Sequence, residues 1–367
     1  MVKIISENEG YDLYLDTEYL KNPEIAQTKD SLGRDMWKKV PYERNLLFTL
    51  VITDKCTLKC EHCFEEAGPK NNTFLSASEI NKLAEESIDI FKNYKNREIR
   101  ITGGDPFLHP DLYQIIESFS ERKDLLEYNT LDVETNGWWA TDDKTTEKYI
   151  EMLKESGTDL LSMTVDYFHC KQDKFDIYKH FDRINKIAGE HDLQFRDITI
   201  DMCLSDDEEI KKEAKKHEKC CWGIIPEVMP IGNARQLPEK YWEGLHPCRA
   251  EGCRLTPPTI AEVVGIYVHT DEITIQKDGN VYPCNSGKDF EYTTLSMGNI
   301  YEELLPEIIE NQNNPIVQLL QEEGLRGLSE IAGIPLRKHW EMYYKFTPCG
   351  LCHELLRVYG KKISENL

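Results

Sequence analysis

The sequence predicts an α/β protein in which an open, partial (β/α)6 barrel is followed by a small C-terminal α+β domain. Short apolar runs alternate with longer amphipathic stretches as far as Pro230, which indicates strands and helices in turn. Repeated strand-helix units form parallel sheets with right-handed crossovers, and six units make up part of the eightfold barrel. After Pro230 the alternation stops, so we expect a second, smaller unit there.

The elements of the barrel follow from local patterns. The six predicted strands are apolar runs at residues 45–52, 98–102, 131–134, 160–165, 197–202 and 224–229. Five amphipathic stretches predict helices at 76–94, 110–121, 144–156, 173–190 and 206–217. Ser76 and Glu79 have the spacing of a capping box at the start of the first helix. Ligands of such folds bind at the carboxyl ends of the strands, so the residues that follow each strand are the candidates for a site.

Beyond the barrel, residues 272–276 and 280–282 predict a hairpin around Lys277, Asp278 and Gly279, and a helical tail follows. We therefore expect three parts: an N-terminal extension at 1–44, the partial barrel at 45–235, and the C-terminal domain with its tail at 236–367.

The chain is acidic, since 44 Lys and Arg stand against 66 Asp and Glu for a net charge of −22. This charge disfavours binding to nucleic acids and to anionic membranes. No run of 18 apolar residues is present, and the first residues lack the basic-then-apolar order of a signal peptide. We therefore expect a cytoplasmic protein. Its 12 cysteines favour metal or cluster ligation over a disulfide framework in that reducing compartment.

Three cysteines directly after the first strand carry the most specific signal. Cys56, Cys60 and Cys63 have C-x3-C-x2-C spacing. Three thiolates can hold a 4Fe-4S cluster and leave one of its four irons for another ligand, which favours chemistry on a bound molecule over simple electron transfer. The alternative is a zinc site with His62 as the fourth ligand.

The cysteine triad resembles the motif of the radical S-adenosylmethionine (SAM) superfamily, which lies at this place in a partial barrel. One departure is His62, where the family usually has another aromatic residue before the last cysteine. The resemblance implies a 4Fe-4S cluster that binds SAM, one-electron cleavage of SAM, and a 5′-deoxyadenosyl radical that abstracts hydrogen from a substrate. It also implies a flavodoxin- or ferredoxin-type reductant as a partner.

The same resemblance implies SAM contacts after the next strands and in the loop after Pro230. Asp105 stands where the family's Gly-Gly-Glu-Pro motif has Glu, and two glycines before it free the backbone to approach a ligand. Ordinary turns, a water-filled barrel mouth and a surface salt bridge at Arg235 are the alternatives. The implied contacts are Gly103, Gly104, Asp105 and Pro106, then Glu134, Thr135 and Asn136, then Thr164 and Asp166, and Arg235.

A second set of cysteines lies in the C-terminal part. The segment from Gly279 to Cys284 and the later Met297-Gly298-Asn299 resemble SPASM and twitch domains, which hold auxiliary 4Fe-4S clusters. No further cysteine follows Cys352, so the resemblance implies one auxiliary cluster. A structural zinc site is the alternative. The implied ligands are Cys253, Cys284, Cys349 and Cys352, with Cys248 as the substitute for Cys253.

Three further residues are candidates for a direct catalytic role. Cys170 and His169 lie after the fourth strand, and Cys203 lies after the fifth. Each is a candidate hydrogen donor or substrate contact, and partly buried, inert side chains are the alternative.

The leading functional hypothesis is a radical SAM enzyme that oxidises or crosslinks a ribosomally made peptide, because relatives with such auxiliary domains mostly modify peptides. The first alternative is a dehydrogenase or epimerase of a small molecule such as an aminocyclitol. Two non-enzymatic alternatives are an iron-sulfur electron carrier and a zinc-dependent interaction protein.

Overall fold

The computed structural model describes residues 45–172, 174–197, 203–204, 224–225, 231–238, 270–345 and 348–367. Within them the largest sheet has eight strands in the order β10-β9-β8-β1-β2-β3-β4-β5. Its strands are β1 (Asn45–Val51), β2 (Asn96–Thr102), β3 (Thr130–Thr135), β4 (Leu160–Met163), β5 (Gln194–Asp197), β8 (Thr270–Ile275), β9 (Asn280–Tyr282) and β10 (Gly298–Asn299). Strands β1 to β5 and β8 run parallel, and β9 and β10 are antiparallel to their neighbours.

Helices connect the parallel strands, which confirms the α/β class with a parallel sheet. The α-helices of the described chain are α1 (Ala77–Phe91), α2 (Leu112–Ser120), α3 (Lys123–Leu126), α4 (Asp143–Ser156), α5 (Tyr167–Cys170), α6 (Ile177–Glu190), α7 (Leu305–Glu310), α8 (Pro315–Ile331), α9 (Leu336–Lys345) and α10 (Pro348–Asn366). Short 3-10 helices lie at Pro106–Leu108 and Gly232–Gln236.

The parallel sheet has one apolar face and one polar face. Phe48, Ile99 and Val133 pack with the helices in the main core. Because side chains alternate along a strand, Thr49, Arg100 and Asp132 lie on the opposite face. A second core joins β9 to α8 and α10, so these two helices pack on the hairpin, whereas α7 packs against α1 in the main core.

The hairpin is where the sequence predicts it, but it belongs to the main sheet. β8 pairs in parallel with β1, register Asn45 to Thr270, and β9 then pairs with β8 in antiparallel. The C-terminal part therefore extends the barrel sheet beyond β1. For this reason the loop that follows β1 lies close to the hairpin turn.

Two local predictions were wrong, and a third falls largely outside the described residues. Ser76 is the N-cap of α1, but its side chain caps no backbone N–H and instead contacts the Ser78 hydroxyl at 2.8 Å. The fifth strand was predicted at 197–202, of which residues 198–202 lie outside the described residues, and β5 begins earlier, at Gln194, just after Asp192 with its φ of +54°. Gln194, Arg196 and Asp197 are exposed, so the beginning of β5 has no apolar pattern that would predict a strand.

The sixth predicted strand also differs from expectation. β7 (Ile224–Ile225) pairs in antiparallel with β6 (Cys203–Leu204), and this pair forms a separate two-stranded sheet. The described part of the predicted strand 224–229 therefore lies outside the parallel sheet, and the sixth parallel strand among the described residues is β8 (Thr270–Ile275). The predicted helix at 206–217 and the extension at 1–44 lie outside the described residues. None of the described helices is long and apolar enough to cross a membrane.

Candidate active site

The three cysteines of the first motif lie together in the loop after β1, at the carboxyl end of the sheet. Cys56 and Cys60 are buried, and Cys63 is partly buried beside them, with Leu58 and Ala67 packed around the group. Burial raises the pKa of the Cys56 thiol, and nearby Asp105 raises it further. Burial likewise raises the pKa of Cys63. Buried thiols of this kind ionise only when a cation offsets the charge, which fits ligands of a metal cluster.

Gly103 and Gly104 hold the end of β2 against the cysteine loop. The amide of Gly104 donates to the Thr53 carbonyl at 2.7 Å, and the amide of Asp105 donates to the Lys55 carbonyl at 2.8 Å. A Cβ at Gly103 would lie 2.5 Å from the Thr53 oxygen. The glycines therefore permit a close approach between two backbone segments of the protein. Pro106 is buried at the start of the 3-10 helix that follows.

Asp105 is fully buried beneath the cysteine loop. One carboxylate oxygen accepts from the Thr135 hydroxyl at 2.9 Å and the Asn136 amide at 3.0 Å, and the other accepts from the Phe107 amide at 3.0 Å. Burial raises the pKa of Asp105 to about 6, although these hydrogen bonds oppose the rise. Its predicted role as acceptor for the SAM amino group stays a prediction.

Asn136 connects this buried network to the first cysteine. Its side-chain amide donates to the Cys56 sulfur at 3.4 Å, and the backbone amide of Leu58 donates to the same sulfur at 3.4 Å. The side-chain oxygen Oδ1 of Asn136 accepts from the backbone amide of Trp138 at 3.0 Å. Two donors directed at one sulfur stabilise a thiolate, as the ligands of iron-sulfur clusters require.

Asp166 lies on the opposite side of the cysteine loop, at the start of α5. Its Oδ2 is 2.9 Å from Nδ1 of His169 and 3.3 Å from Nε2 of His62. Burial alone would raise the pKa of Asp166, but the two histidines hold it well below its usual range. Burial would lower the pKa of His169, but Asp166 and Cys60 hold it well above its usual range. The contact between Asp166 and His62 joins residues far apart in the sequence, and no local pattern predicted it.

The remaining predicted SAM residues of the sheet lie at the polar face. Glu134 forms an ion pair with Arg100, whose Nε lies 3.0 Å from Glu134 Oε1, and both side chains are partly buried. Thr164 is partly buried just after β4. Ser162 of β4, which pairs with Glu134, has a protein partner, since its hydroxyl donates to Asp132 at 2.7 Å.

Arg235 lies away from these residues. It is an exposed residue of the 3-10 helix Gly232–Gln236, and its guanidinium is 5.9 Å from the centre of the Phe290 ring. The same helix contacts the cysteine loop through Asn233, whose backbone amide donates to the Cys63 carbonyl at 3.0 Å. The structure thus places Arg235 beside the C-terminal domain.

Three of the predicted auxiliary ligands are among the described residues. Cys284 follows β9, and Cys349 and Cys352 lie in the first turns of α10. The carbonyl oxygen of Ser286 is 2.6 Å from Nε2 of His353, so the Cys284 loop meets the helix beside Cys352. Burial lowers the pKa of His353 to about 3. Cys248 and Cys253 lie outside the described residues.

A buried polar bridge joins the two cysteine regions. Glu65, two residues after Cys63, accepts from Gln276 at 3.1 Å and from Lys277 at 3.1 Å. Lys288 donates to the carbonyl oxygen of Phe64. The loop of the first cysteine motif therefore contacts the chain both before Cys284, in the hairpin, and after it, at Lys288. Sequence reasoning missed this bridge, because its residues are more than two hundred positions apart.

Of the candidate catalytic residues, Cys170 is partly buried and donates to the Tyr178 hydroxyl at 3.0 Å. His169 lies beside Cys60 as described above. Cys203 is in β6, and its side chain lies outside the described part of the structure.

These residues fit the group that the motif implies. Three thiols converge in one buried loop, donors point at the Cys56 sulfur, and Nδ1 of His62 is buried without a hydrogen-bond partner among the described residues. A cluster bound at Cys56, Cys60 and Cys63 would have protein on several sides and a polar barrel face beside it.

Two family profiles match the chain. The profile of the radical SAM superfamily matches residues 50–204, and the SPASM profile, an iron-sulfur cluster-binding domain, matches residues 267–330. The first range contains Cys56, Cys60 and Cys63, and the second contains Cys284. Both ranges fall inside the predicted domains, whose boundaries remain a prediction.

Relatives match different shares of the chain. GTP 3′,8-cyclase of Lactiplantibacillus plantarum is 31% identical over 212 residues, which are 53% of this chain and 58% of that protein. The putative peptide biosynthesis protein YydG of Bacillus subtilis is 21% identical over 85% of this chain and 92% of its own length. The solved structure of anSMEcpe with bound AdoMet and a peptide is 14% identical, with a TM-score of 0.47 over 88% of this chain and 99% of that one.

The parallel sheet, the three-cysteine loop at its carboxyl end and the second iron-sulfur domain define an iron-sulfur protein built around a radical SAM domain. The chain contains a radical SAM domain at residues 50–204 and a C-terminal SPASM domain at residues 267–330. Its cofactors are a 4Fe-4S cluster and SAM in the first domain and additional iron-sulfur in the second, as the resemblance of the cysteine motifs implies. The chain spans little more than half the length of the L. plantarum cyclase.

Proposed function

We propose that this protein modifies a peptide by radical SAM chemistry, with help from an auxiliary 4Fe-4S cluster. The observation that carries the proposal is the pairing of the Cys56-Cys60-Cys63 loop with a SPASM domain in one sheet. Bound together, the cluster and SAM supply a 5′-deoxyadenosyl radical that abstracts hydrogen from the substrate.

Residues of this chain prepare the site for that chemistry. Cys56, Cys60 and Cys63 would hold a 4Fe-4S cluster through three thiolates, which would leave one of its irons for SAM. Asn136 donates to Cys56, and Asp105 fixes the backbone of Asn136 from below. The burial of this network keeps water and external oxidants from the site. Gly103, Gly104, Pro106, Glu134, Thr135, Thr164 and Arg235 complete the proposed set of SAM contacts, and Asp166, which the family resemblance also implied, is assigned a different role below.

The C-terminal domain would hold the auxiliary cluster at Cys284, Cys349 and Cys352 with Cys253, or with Cys248 in its place. An oxidised product requires that one electron leave the substrate radical, and a nearby cluster can accept it. A peptide is the proposed substrate because the match to the putative peptide biosynthesis protein spans 85% of this chain. The cyclase matches span 53% of it or less.

The first experiment measures 5′-deoxyadenosine formed from SAM by anaerobically reconstituted, dithionite-reduced protein. Its control is the Cys56→Ala/Cys60→Ala/Cys63→Ala variant. We expect product from the wild type and none from the variant, while the variant keeps the iron of the second domain. If the wild type binds iron but forms no 5′-deoxyadenosine, the radical proposal is wrong and the electron-carrier alternative takes its place.

The substrate is tested with two probes in the same reaction mixture. One is a synthetic peptide with the sequence of a short open reading frame that neighbours the gene, and the other is GTP. Mass spectrometry should show the peptide with two hydrogen atoms lost and the GTP unchanged. Conversion of GTP, with the peptide unaltered, would refute peptide modification.

A further inference from the structure

The carboxylate of Asp166 is turned toward protein groups on both of its oxygens. Oδ1 accepts from the backbone amide of His169 at 2.9 Å and so caps α5. Oδ2 contacts imidazole nitrogens of His169 and His62 at 2.9 and 3.3 Å. The side chain is 1% exposed. A buried carboxylate between two imidazoles fixes the orientation of both rings.

The two rings are held on their other sides as well. His62 stacks on Phe168, with ring centres 4.7 Å apart and an angle of 22° between the planes. His169 meets the edge of His62 at 5.2 Å and lies close enough to Cys60 for the two side chains to interact electrostatically. His62 lies inside the cysteine motif, between Cys60 and Cys63. Asp166 therefore ties α5 to the cysteine loop through two imidazoles.

We propose that Asp166 is a positioning residue that orients His169 as a hydrogen-bond donor to the Cys60 thiolate. The inference rests on the proposed function, since it requires a cluster at Cys60. Hydrogen bonds to the sulfurs of an iron-sulfur cluster favour its more negative, reduced form and raise its reduction potential. This role differs from the SAM contact that family resemblance implies for Asp166. It also explains how histidine serves at position 62, where it supplies a ring for stacking and a nitrogen for Asp166.

The test uses the full chain, reconstituted anaerobically and kept free of SAM. The midpoint potential and the electron paramagnetic resonance spectrum of the reduced first cluster are measured in the auxiliary variant Cys284→Ala/Cys349→Ala/Cys352→Ala, so that one cluster reports. His169→Phe keeps a ring and removes the donor. We expect a more negative potential and altered g-values, with iron content unchanged. His169→Gln restores a donor and should recover part of the shift.

Asp166→Asn separates positioning from SAM binding. Asparagine keeps an oxygen for the cap on α5 and loses the carboxylate that faces the imidazoles. We expect this variant to alter the SAM-free spectrum, and we expect most of that change to disappear in the His169→Phe background. Its affinity for SAM should change by less than about threefold. The matched control is Asp142→Asn, since Asp142 caps α4 through the Thr145 amide, away from the cysteines.

Two results would overturn the inference. One is a first cluster whose potential and spectrum in His169→Phe equal those of the parent, the auxiliary variant that keeps His169. The other is an Asp166→Asn variant in which only SAM affinity falls, which would make Asp166 a SAM contact. If the parent holds no 4Fe-4S cluster at its first motif, the proposed function fails together with the inference. A cluster that is present but insensitive to His169 removes the inference alone.

Discussion

Lys277→Met tests the buried bridge between the two cysteine regions. Lys277 Nζ lies 3.1 Å from Glu65 Oε2, and the Glu65 side chain is only 4% exposed. At an effective dielectric constant of about 20, unit charges at this distance attract by roughly 5 kcal/mol. Removing Lys277 leaves the buried Glu65 carboxylate without its ion-pair partner and with Gln276 as its remaining hydrogen-bond donor in the bridge. We therefore expect the free energy of unfolding to fall by about 3–5 kcal/mol.

The assay is urea unfolding of the reconstituted protein without oxygen, followed by far-ultraviolet circular dichroism. The Glu65→Gln/Lys277→Met double variant removes both charges and keeps an oxygen to accept from Gln276, so it should recover to within about 1 kcal/mol of the wild type. Arg326→Met breaks an exposed pair with Glu330 whose atoms lie 2.7 Å apart. Because both partners are about half exposed, it should cost no more than about 0.5 kcal/mol.

The burial of Glu65, and not the short distance between the charges, causes the expected loss of stability in Lys277→Met. This explanation is refuted if Lys277→Met unfolds at the urea concentration of the wild type, or if the double variant is as unstable as the single one.

Three other predictions follow. Gly104→Ala places a Cβ 2.6 Å from the Lys55 carbonyl carbon and should cost about 3 kcal/mol in urea unfolding, whereas Gly189→Ala, with open space around it, should stabilise by about 0.5–1 kcal/mol. Asn136→Ala removes a donor to the Cys56 sulfur and should speed iron loss to a chelator, with unchanged loss refuting the contact. Burial raises the pKa of Asp132 to about 7, so between pH 4 and 7 the folded protein keeps a proton that the unfolded chain releases. The free energy of unfolding should therefore fall by up to about 4 kcal/mol as the pH rises from 4 to 7. Asp132→Asn should remove most of this pH dependence.

The sequence predicted the features that depend on short-range spacing. Cys56, Cys60 and Cys63 are eight residues end to end, so their spacing alone places three thiols in one loop. The strands that are buried on the core face were found within a residue or two. The beginning of β5 was not predicted because Gln194, Arg196 and Asp197 are polar and exposed, so it lacks the apolar pattern on which strand prediction depends.

The glycines after β2 show where local reasoning stops. Two glycines at Gly103 and Gly104 indicate a close backbone approach, and the sequence does not say what approaches. The structure shows that Thr53 and Lys55 occupy that space. The contacts of Asp166 with His62 and of Glu65 with Lys277 pair residues from distant segments. Only the register of the assembled sheet brings such residues together.

The bridge between the cysteine regions changes how variants of the auxiliary site are interpreted. Lys277 precedes Cys284 in the chain and contacts Glu65, and Lys288 follows Cys284 and contacts Phe64. A change in the Cys284 loop is therefore transmitted to the segment directly after Cys63 without any electron transfer. If removal of Cys284 abolishes SAM cleavage, two causes must be separated: loss of the auxiliary cluster and disturbance of the segment after Cys63. If Lys277→Met, with all cysteines intact, lowers SAM cleavage to the same extent, the mechanical contact accounts for the loss. If it leaves cleavage intact, the auxiliary cluster itself is required.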